Sequence, residues 1–298
     1  MVIAGGSGFV GEAVAAAFIT AEHSAVVIDR ASPKFAGVAH VAGDLSAAMP
    51  ADPILLGPDV VVNLAGAPVF RRWTEAAKKE ILDSRVLSTR NLVASFADER
   101  RRPKVLLQAS AVGYYGDGGE THLNESSPKG SGFLADVCEA WEAEAKKAEA
   151  FGVRVVIVRQ ATVLGPGGYL GAVAPLARLG LIGRMGSGAQ FLPWIHRYDL
   201  ASIYLTLAND PSATGVVNAV SPAETRQRDL AASLRIALRA PWEFPLPAWL
   251  LRLKFGEMAD GLILASQHVE ATRLPPGLAL AFPVLDAALL DACEIWRH

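Results

Sequence analysis

Four glycines fall within the first eleven residues, at Gly5, Gly6, Gly8 and Gly11, between the apolar run Val2-Ile3-Ala4 and a helix-like run that begins near Phe9. That density is too high for a helix and too abrupt for an ordinary hairpin. In "GGSGFVG" the residues Gly5, Gly8 and Gly11 stand three apart after a buried-strand pattern and at the mouth of a helix. Each spacing has a physical use: Gly5 supplies a positive-φ turn out of the strand, Gly8 lets the backbone approach a ligand with no Cβ in the way, and Gly11 lets the helix pack closely on the sheet. Free N–H groups in the first helical turn and the helix dipole favour a diphosphate there. The stretch predicts a dinucleotide site with Gly5, Ser7, Gly8, Phe9, Val10 and Gly11 as its loop.

Beyond the loop, short Val/Ile/Leu-rich runs alternate with helical patterns, which predicts a parallel sheet covered on both faces. The runs are Val2–Ala4, Ala25–Asp29, Val38–Val41, Asp59–Ala65, Lys104–Ser110, Val153–Arg159 and Val216–Val220. Between the first two, Val10, Val14, Ala17, Phe18 and Ala21 recur at three- and four-residue spacing, the stripe of one helix face. Further helices are predicted over 73–97 and 136–150. Past Gly165 the rhythm breaks into Gly- and Pro-rich sequence, read as loops and short helices. The expected fold class is therefore α/β, a Rossmann-type doubly wound sheet. We place a dinucleotide-binding domain at 1–220, with a substrate-side insertion at 166–187, and a small substrate-side domain at 221–298.

Composition excludes several classes. With 51% hydrophobic and 19% charged residues, and Lys+Arg 28 against Asp+Glu 30, the chain has neither the basic balance of a nucleic-acid binder nor the polarity of a disordered protein. Two cysteines, Cys138 and Cys293, suit a reducing compartment and offer no zinc-ligand spacing, so neither a disulfide framework nor a metal is expected. No signal peptide or membrane span is expected either, which points to the cytoplasm.

The second strand ends "VVIDR". Asp29 suits the ribose hydroxyls of NAD, whereas Arg30 suits a 2′-phosphate, so the two neighbours point to different cofactors. Asp44, in "AGDL", is either an adenine-binding residue or a turn former. Leu64, Ala65 and Gly66 close the fourth strand where a cofactor would cross the carboxyl ends of the strands.

The segments "GGSGFVG", "VVNLAGAP", "RRWTEAAKKEILDSRVLSTRNLV", "SAVGYYG", "NESSP", "CEAWE", "GSGAQFLPWIHRYDL" and "PLPAWLLRLKFGEMADGL" together resemble the extended short-chain dehydrogenase/reductases. More narrowly, they resemble an epimerase-like branch with a carboxy-terminal domain of unknown function. The resemblance spans nearly the whole chain. It implies NADP(H) as cofactor through Arg30, with NAD left open by Asp29, and a small polar or sugar-like substrate. Chemistry in the wider group uses a serine, a tyrosine and a lysine four residues later, the lysine stabilising a phenolate whose ordinary pKa is about 10. Here Leu134 and Cys138 stand at the tyrosine and lysine positions, so that relay is missing. Ser110, Tyr114 and Tyr115 are the substitute catalytic candidates. Arg85, Glu125, Trp194 and His196 are assigned to the substrate side, with Asp199 expected to cap the helix after His196; a structural role for His196 is the stronger reading of that residue alone. Ala67 stands where the branch usually has glutamate, and Gln160-Ala161 replaces a Thr-Gly pair, changes expected to alter substrate preference. The missing pair also leaves open a non-catalytic sensor of NADP(H). A homodimer is expected by analogy with related folds.

Overall fold

The structure is a computed structural model that describes residues 1–296 of the 298. In chain order the elements are β1 (Val2–Ala4), α1 (Phe9–Thr20), β2 (Ala25–Asp29), β3 (Val38–Ala42), β4 (Val60–Asn63), α2 (Glu75–Ala94), β5 (Val105–Ala111), β6 (His122–Leu123) and α3 (Phe133–Lys146). There follow β7 (Arg154–Gln160), β8 (Thr162–Leu164), α4 (Gly168–Arg178), β9 (Trp194–His196), α5 (Arg197–Asn209), β10 (Gly215–Ala219), α6 (Gln227–Ala237), α7 (Ala248–Phe255), β11 (His268–Val269) and α8 (Leu285–Ala292). Seven of the strands form one sheet in the order β10-β7-β5-β4-β1-β2-β3, and every pairing in it is parallel. The strand order reverses at β1, so the glycine loop leaves the sheet at the crevice where such folds bind their ligands.

The central strands carry no polar face because helices cover both sides. Ile3, Val62, Leu107, Val156 and Val158 pack with Val14 and Phe18 of α1 and Leu200, Tyr204 and Leu207 of α5. The alternate residues Val2, Val61, Leu106, Val155 and Ile157 pack on the other side with Leu92 and Val93 of α2 and Ala145 of α3. Period-2 alternation thus sends consecutive apolar side chains into two different cores. All seven predicted strands are present, with ends within three residues of those expected. The α1 stripe differs at its end: Ala21 is the C-cap and is exposed, because the helix stops at Thr20.

A third core lies outside the sheet and gathers Leu170 and Val173 of α4, Trp194, Leu230 and Leu234 of α6, Leu251 of α7, Met258 and Leu289 of α8. The stretch after Gly165 therefore holds a real helix. Pro175 sits inside α4, and the helix nevertheless buries Leu170, Val173, Ala174 and Ala177. Two short parallel pairs, β8 with β9 and β6 with β11, lie outside the seven-stranded sheet.

Candidate functional site

The glycine loop forms one wall of a cleft of about 870 Å³, lined also by Asp29, Arg30, Asp44, the segment Leu64 to Val69 and the α2 residues Lys79, Glu80, Asp83 and Arg85. Gly5 has φ +73, and a Cβ there would stand 2.8 Å from the backbone of Ala65, so both its conformation and its closeness to the neighbouring strand end require glycine. Gly8 is the N-cap of α1 and offers no capping side chain. The nearest atom to a Cβ built on Gly8 is the Gly5 carbonyl oxygen at 3.7 Å, so the turn itself would tolerate a side chain, and what glycine preserves there is access from the cleft. The first hydrogen bond of the turn runs from the Glu12 N–H to the Gly8 oxygen, leaving the N–H groups of Phe9, Val10 and Gly11 without a helical acceptor. The expected task of Gly11 needs correction. Its Cβ would meet the Gly6 carbonyl oxygen at 2.5 Å, so the close packing is between helix and loop rather than helix and sheet.

Phe9 faces away from this turn into a second glycine tract. Cβ atoms on Gly165 or Gly167 would lie 2.7 Å from its ring, and Gly168 is in contact as well. The loop before α4 is thus wrapped on the first residue of α1.

Asp29 and Arg30 are differently disposed. One carboxylate oxygen of Asp29 accepts the Ser7 N–H at 3.1 Å and the other accepts the Arg30 N–H at 2.7 Å. The Ser7 hydroxyl donates to the Ala31 carbonyl at 2.7 Å, so the loop is tied to the end of β2 twice. The Arg30 side chain is 74% exposed, with only Asp44 near it at 4.0 Å. Asp44 forms a turn while also lining the cleft: its Oδ1 accepts the Ser46 N–H and hydroxyl at 2.9 and 2.6 Å. The Ser46 hydroxyl is the main reason its carboxyl is held below the ordinary value.

The opposite wall is set by a buried polar belt. The Asn63 amide donates to Thr89 at 2.8 Å and to Gln108 at 2.9 Å, while its oxygen accepts the Ala65 N–H at 3.2 Å. The indole of Trp141 donates to Thr89. From α2, Ser84 accepts the Ala67 N–H at 2.9 Å and Arg85 donates to the Ala67 carbonyl at 3.0 Å. Arg85 packs so closely on Gly66 that a Cβ there would be 2.9 Å from its Cζ. No carboxylate pairs with Arg85 among the described residues, and burial, with Arg71 adding to it, lowers its pKa to about 10, leaving a cation at neutral pH on the cleft wall.

The three catalytic candidates separate. Ser110 is buried and donates to Glu142 at 2.6 Å. Glu142 is paired in a fork with Arg159, Nε to Oε1 at 2.8 Å and Nη2 to Oε2 at 2.9 Å, with both side chains at most 4% exposed. Arg159 also donates to the Tyr115 hydroxyl at 3.1 Å, and that hydroxyl donates to Asn218 at 2.8 Å. Burial pushes the Tyr115 phenol up against the opposing pull of Arg159 and Asn218. Burial alone would lower the Arg159 value, but the bonds to Glu142 carry it above the ordinary guanidinium range. Tyr114 is half-buried, with the Arg159 guanidinium 3.4 Å from its ring centroid, and its hydroxyl makes no hydrogen bond within the described residues. Ser110 and Tyr115 are thus consumed by an internal network, and Tyr114 is not. Leu134 lies against Gly113, and the Cys138 thiol donates weakly to the Ala111 carbonyl at 3.7 Å. Burial, with Glu142, pushes that thiol up to about 11.

The remaining substrate-side residues stand apart from the cleft. Trp194 is fully buried and its indole donates to Thr225 at 2.8 Å. His196 is fully buried and is itself the N-cap of α5, its Nδ1 accepting the Tyr198 N–H at 3.4 Å. Asp199 does not cap that helix as expected. Its carboxylate accepts the N–H groups of Ala281 and Phe282, binding α5 to the carboxy-terminal segment. Glu125 is buried and accepts from the Asn218, Thr272 and Arg273 N–H groups, which makes it a tie between β10 and residues 272–273. The Glu142–Arg159 pair was not anticipated. A sequence signal for it exists, since an arginine in the otherwise apolar "VVIVRQ" strand needs a buried counter-ion.

Comparison with known proteins agrees with this architecture. Residues 1–220 match the NAD dependent epimerase/dehydratase family and residues 246–275 match a domain of unknown function, DUF1731. The chain is 36% identical over 272 residues to "Epimerase family protein Mb2239" of Mycobacterium bovis, covering 89% of this chain and 88% of that protein. It is similar to the crystal structure of human epimerase family protein SDR39U1 with NADPH, with 32% identity, a TM-score of 0.87 and 98% of each chain covered. It is also similar to a nucleoside-diphosphate sugar epimerase from Corynebacterium glutamicum, at 31% identity and a TM-score of 0.77, covering 98% of this chain and 57% of that one. Among the described residues no helix is long and apolar enough to cross a membrane.

Proposed function

The chain belongs to the NAD dependent epimerase/dehydratase family, and from that premise we propose that it binds NADP(H) and catalyses redox chemistry, or oxidation followed by re-reduction, on a small polar or sugar-like substrate. The observation that carries the cofactor choice is the contrast at the end of β2. Both oxygens of Asp29 accept main-chain N–H groups, one of them from the glycine loop, while the Arg30 side chain is 74% exposed at the cleft mouth, held only by a long 4.0 Å contact to Asp44. An exposed guanidinium with only one long ionic contact suits a 2′-phosphate. The human relative crystallised with NADPH supports the same reading.

In this proposal the N–H groups of Phe9, Val10 and Gly11 take the diphosphate, with Gly5, Ser7 and Gly8 shaping the turn. Leu64, Ala65 and Gly66 support the cofactor where it crosses the sheet. When bound, the nicotinamide supplies or accepts a hydride. Tyr114 would give or take the proton at the substrate oxygen, because it alone of the three candidate hydroxyls is not bonded internally. Ser110 and Tyr115 hold it in place through Arg159, and Arg85 would meet an oxygen of the substrate from the cleft wall. Residues 1–220 would thus carry the cofactor, while 166–187 and 221–298 complete the substrate side, with Glu125, Trp194 and His196 bracing it from behind.

The test is a titration of NADPH and NADH into wild type and Arg30→Ala. A charge-assisted contact is worth roughly 1.5–3 kcal/mol, about 10- to 150-fold in affinity. Wild type should prefer NADPH by such a factor and the variant should lose that preference; equal affinities in wild type would refute the assignment. With NADPH bound, a panel of carbonyl compounds and nucleotide sugars should reveal hydride transfer that Tyr114→Phe abolishes. Saturable NADPH binding with no turnover on any of them would favour a sensor instead.

A further inference from the structure

Outside the cleft, two imidazoles and a carboxylate converge from three distant parts of the chain. Strands β6 and β11 pair in parallel with His122 directly opposite His268, so their rings share one face of the ribbon, with centroids 3.9 Å apart and planes inclined by 41°. Phe191 stacks on His268 at 3.9 Å and 11°. His268 is thereby held between two rings and is only 9% exposed. Its Nε2 lies 3.0 Å from Oε1 of Glu224, on the segment between β10 and α6. Its Nδ1 is buried with no hydrogen-bond partner, so nothing but Glu224 fixes which ring nitrogen faces the group. One nitrogen or oxygen from each of His122, Glu224 and His268 lies within 4.8 Å of the others, and His122 and Glu224 are exposed.

We propose that His122, Glu224 and His268 bind a borderline divalent transition-metal ion such as Zn2+, with water completing the coordination. Two neutral imidazole nitrogens and one carboxylate oxygen form the donor set preferred by such ions, whereas calcium and magnesium want mainly oxygen. Metal–ligand distances of about 2.0–2.2 Å in a tetrahedron put ligand atoms roughly 3.3 Å apart. The His268–Glu224 pair already approximates that spacing, and the exposed side chain of His122 closes the rest by rotation about its own torsions. The neighbouring Arg226 directs its hydrogen bonds to Glu120, in a fork at 3.0 and 2.8 Å, and to the Ala189 carbonyl, and it acts on Glu224 only through space. Since the ligands come from β6, the β10–α6 segment and β11, a bound ion would clip the carboxy-terminal part to the nucleotide-binding half. This site shares no residue with the cofactor cleft, so its test and that of the cofactor proposal are independent.

The full chain, without a histidine tag and stripped with EDTA, is titrated with Zn2+ by calorimetry and with Co2+ by visible absorption. We expect one equivalent to bind, ligand-field bands of a four-coordinate cobalt ion, and a rise in melting temperature with Zn2+. His122→Ala and Glu224→Gln, both at exposed positions, should each weaken binding at least tenfold and remove the thermal shift, while circular dichroism shows unchanged folding. Wild-type affinity in both variants, or no saturable uptake by wild type, overturns the site.

Discussion

Replacing Arg159 by methionine keeps most of the side-chain volume on β7 but removes the charge that faces Glu142. The carboxylate then stays in a place where it is at most 4% exposed, with the Ser110 hydroxyl as its remaining hydrogen-bond donor. Breaking one side of a buried ion pair costs about 3–5 kcal/mol, because the stranded charge cannot recover its hydration. For a chain of this length, roughly 2 °C of melting temperature is lost per kcal/mol, so Arg159→Met should melt about 6–10 °C lower. The double variant Arg159→Met/Glu142→Leu removes both charges and leaves Tyr115 bonded to Asn218. Its chief remaining deficit is the lost acceptor of Ser110, about 1 kcal/mol. Urea unfolding of wild type, the two single variants and the double variant, followed by circular dichroism, forms a cycle in which the double change should cost far less than the two single changes added together. If the single variants prove additive, or if Arg159→Met unfolds within about 1 kcal/mol of wild type, the pair is not the desolvated unit described above.

Two other perturbations probe different parts of the molecule. Gly11→Ala places a methyl group 2.5 Å from the Gly6 carbonyl oxygen, so the loop must shift outward; we expect a loss of about 1–3 kcal/mol in unfolding free energy and at least tenfold weaker NADPH binding by calorimetry. Unchanged NADPH affinity in a folded Gly11→Ala protein would contradict the close helix–loop contact. At His196, burial lowers the imidazole pKa, against the raising influence of Asp291 and Asp199. The unfolded chain therefore takes up a proton near pH 6.5 before the folded protein does, so this residue's contribution to stability is present above that pH and is lost as the pH falls toward the folded value. Unfolding free energies of His196→Gln measured between pH 7.5 and about 5 should fall less steeply than those of wild type; parallel curves would mean that the histidine does not titrate differently on folding.

The sheet and the glycine turn were legible because local pattern determines them. Runs such as Val60 to Asn63 are apolar on both faces only when helices cover both, and three glycines at a strand-to-helix junction serve few other purposes. What sequence could not supply was pairing between distant polar residues. Glu142 lies on a helix whose charged residues resemble a wet face, yet it points inward to Arg159, seventeen residues away on another element. Asp199 at the start of α5 has the residue type and place of a cap, but the neighbouring histidine performs that task and the carboxylate holds Ala281 and Phe282. The bond between Asp29 and the Ser7 N–H is likewise invisible in the sequence, where the two adjacent residues argue for different cofactors.

The ring of Phe9, gripped by Gly165, Gly167 and Gly168, makes the start of α1 and the start of α4 a single mechanical joint. The ring fills the space that side chains at Gly165 and Gly167 would need, so a tilt of α1 presses directly on the α4 segment. A displacement of the glycine turn at the cleft would thereby reach a segment that does not itself line the cleft.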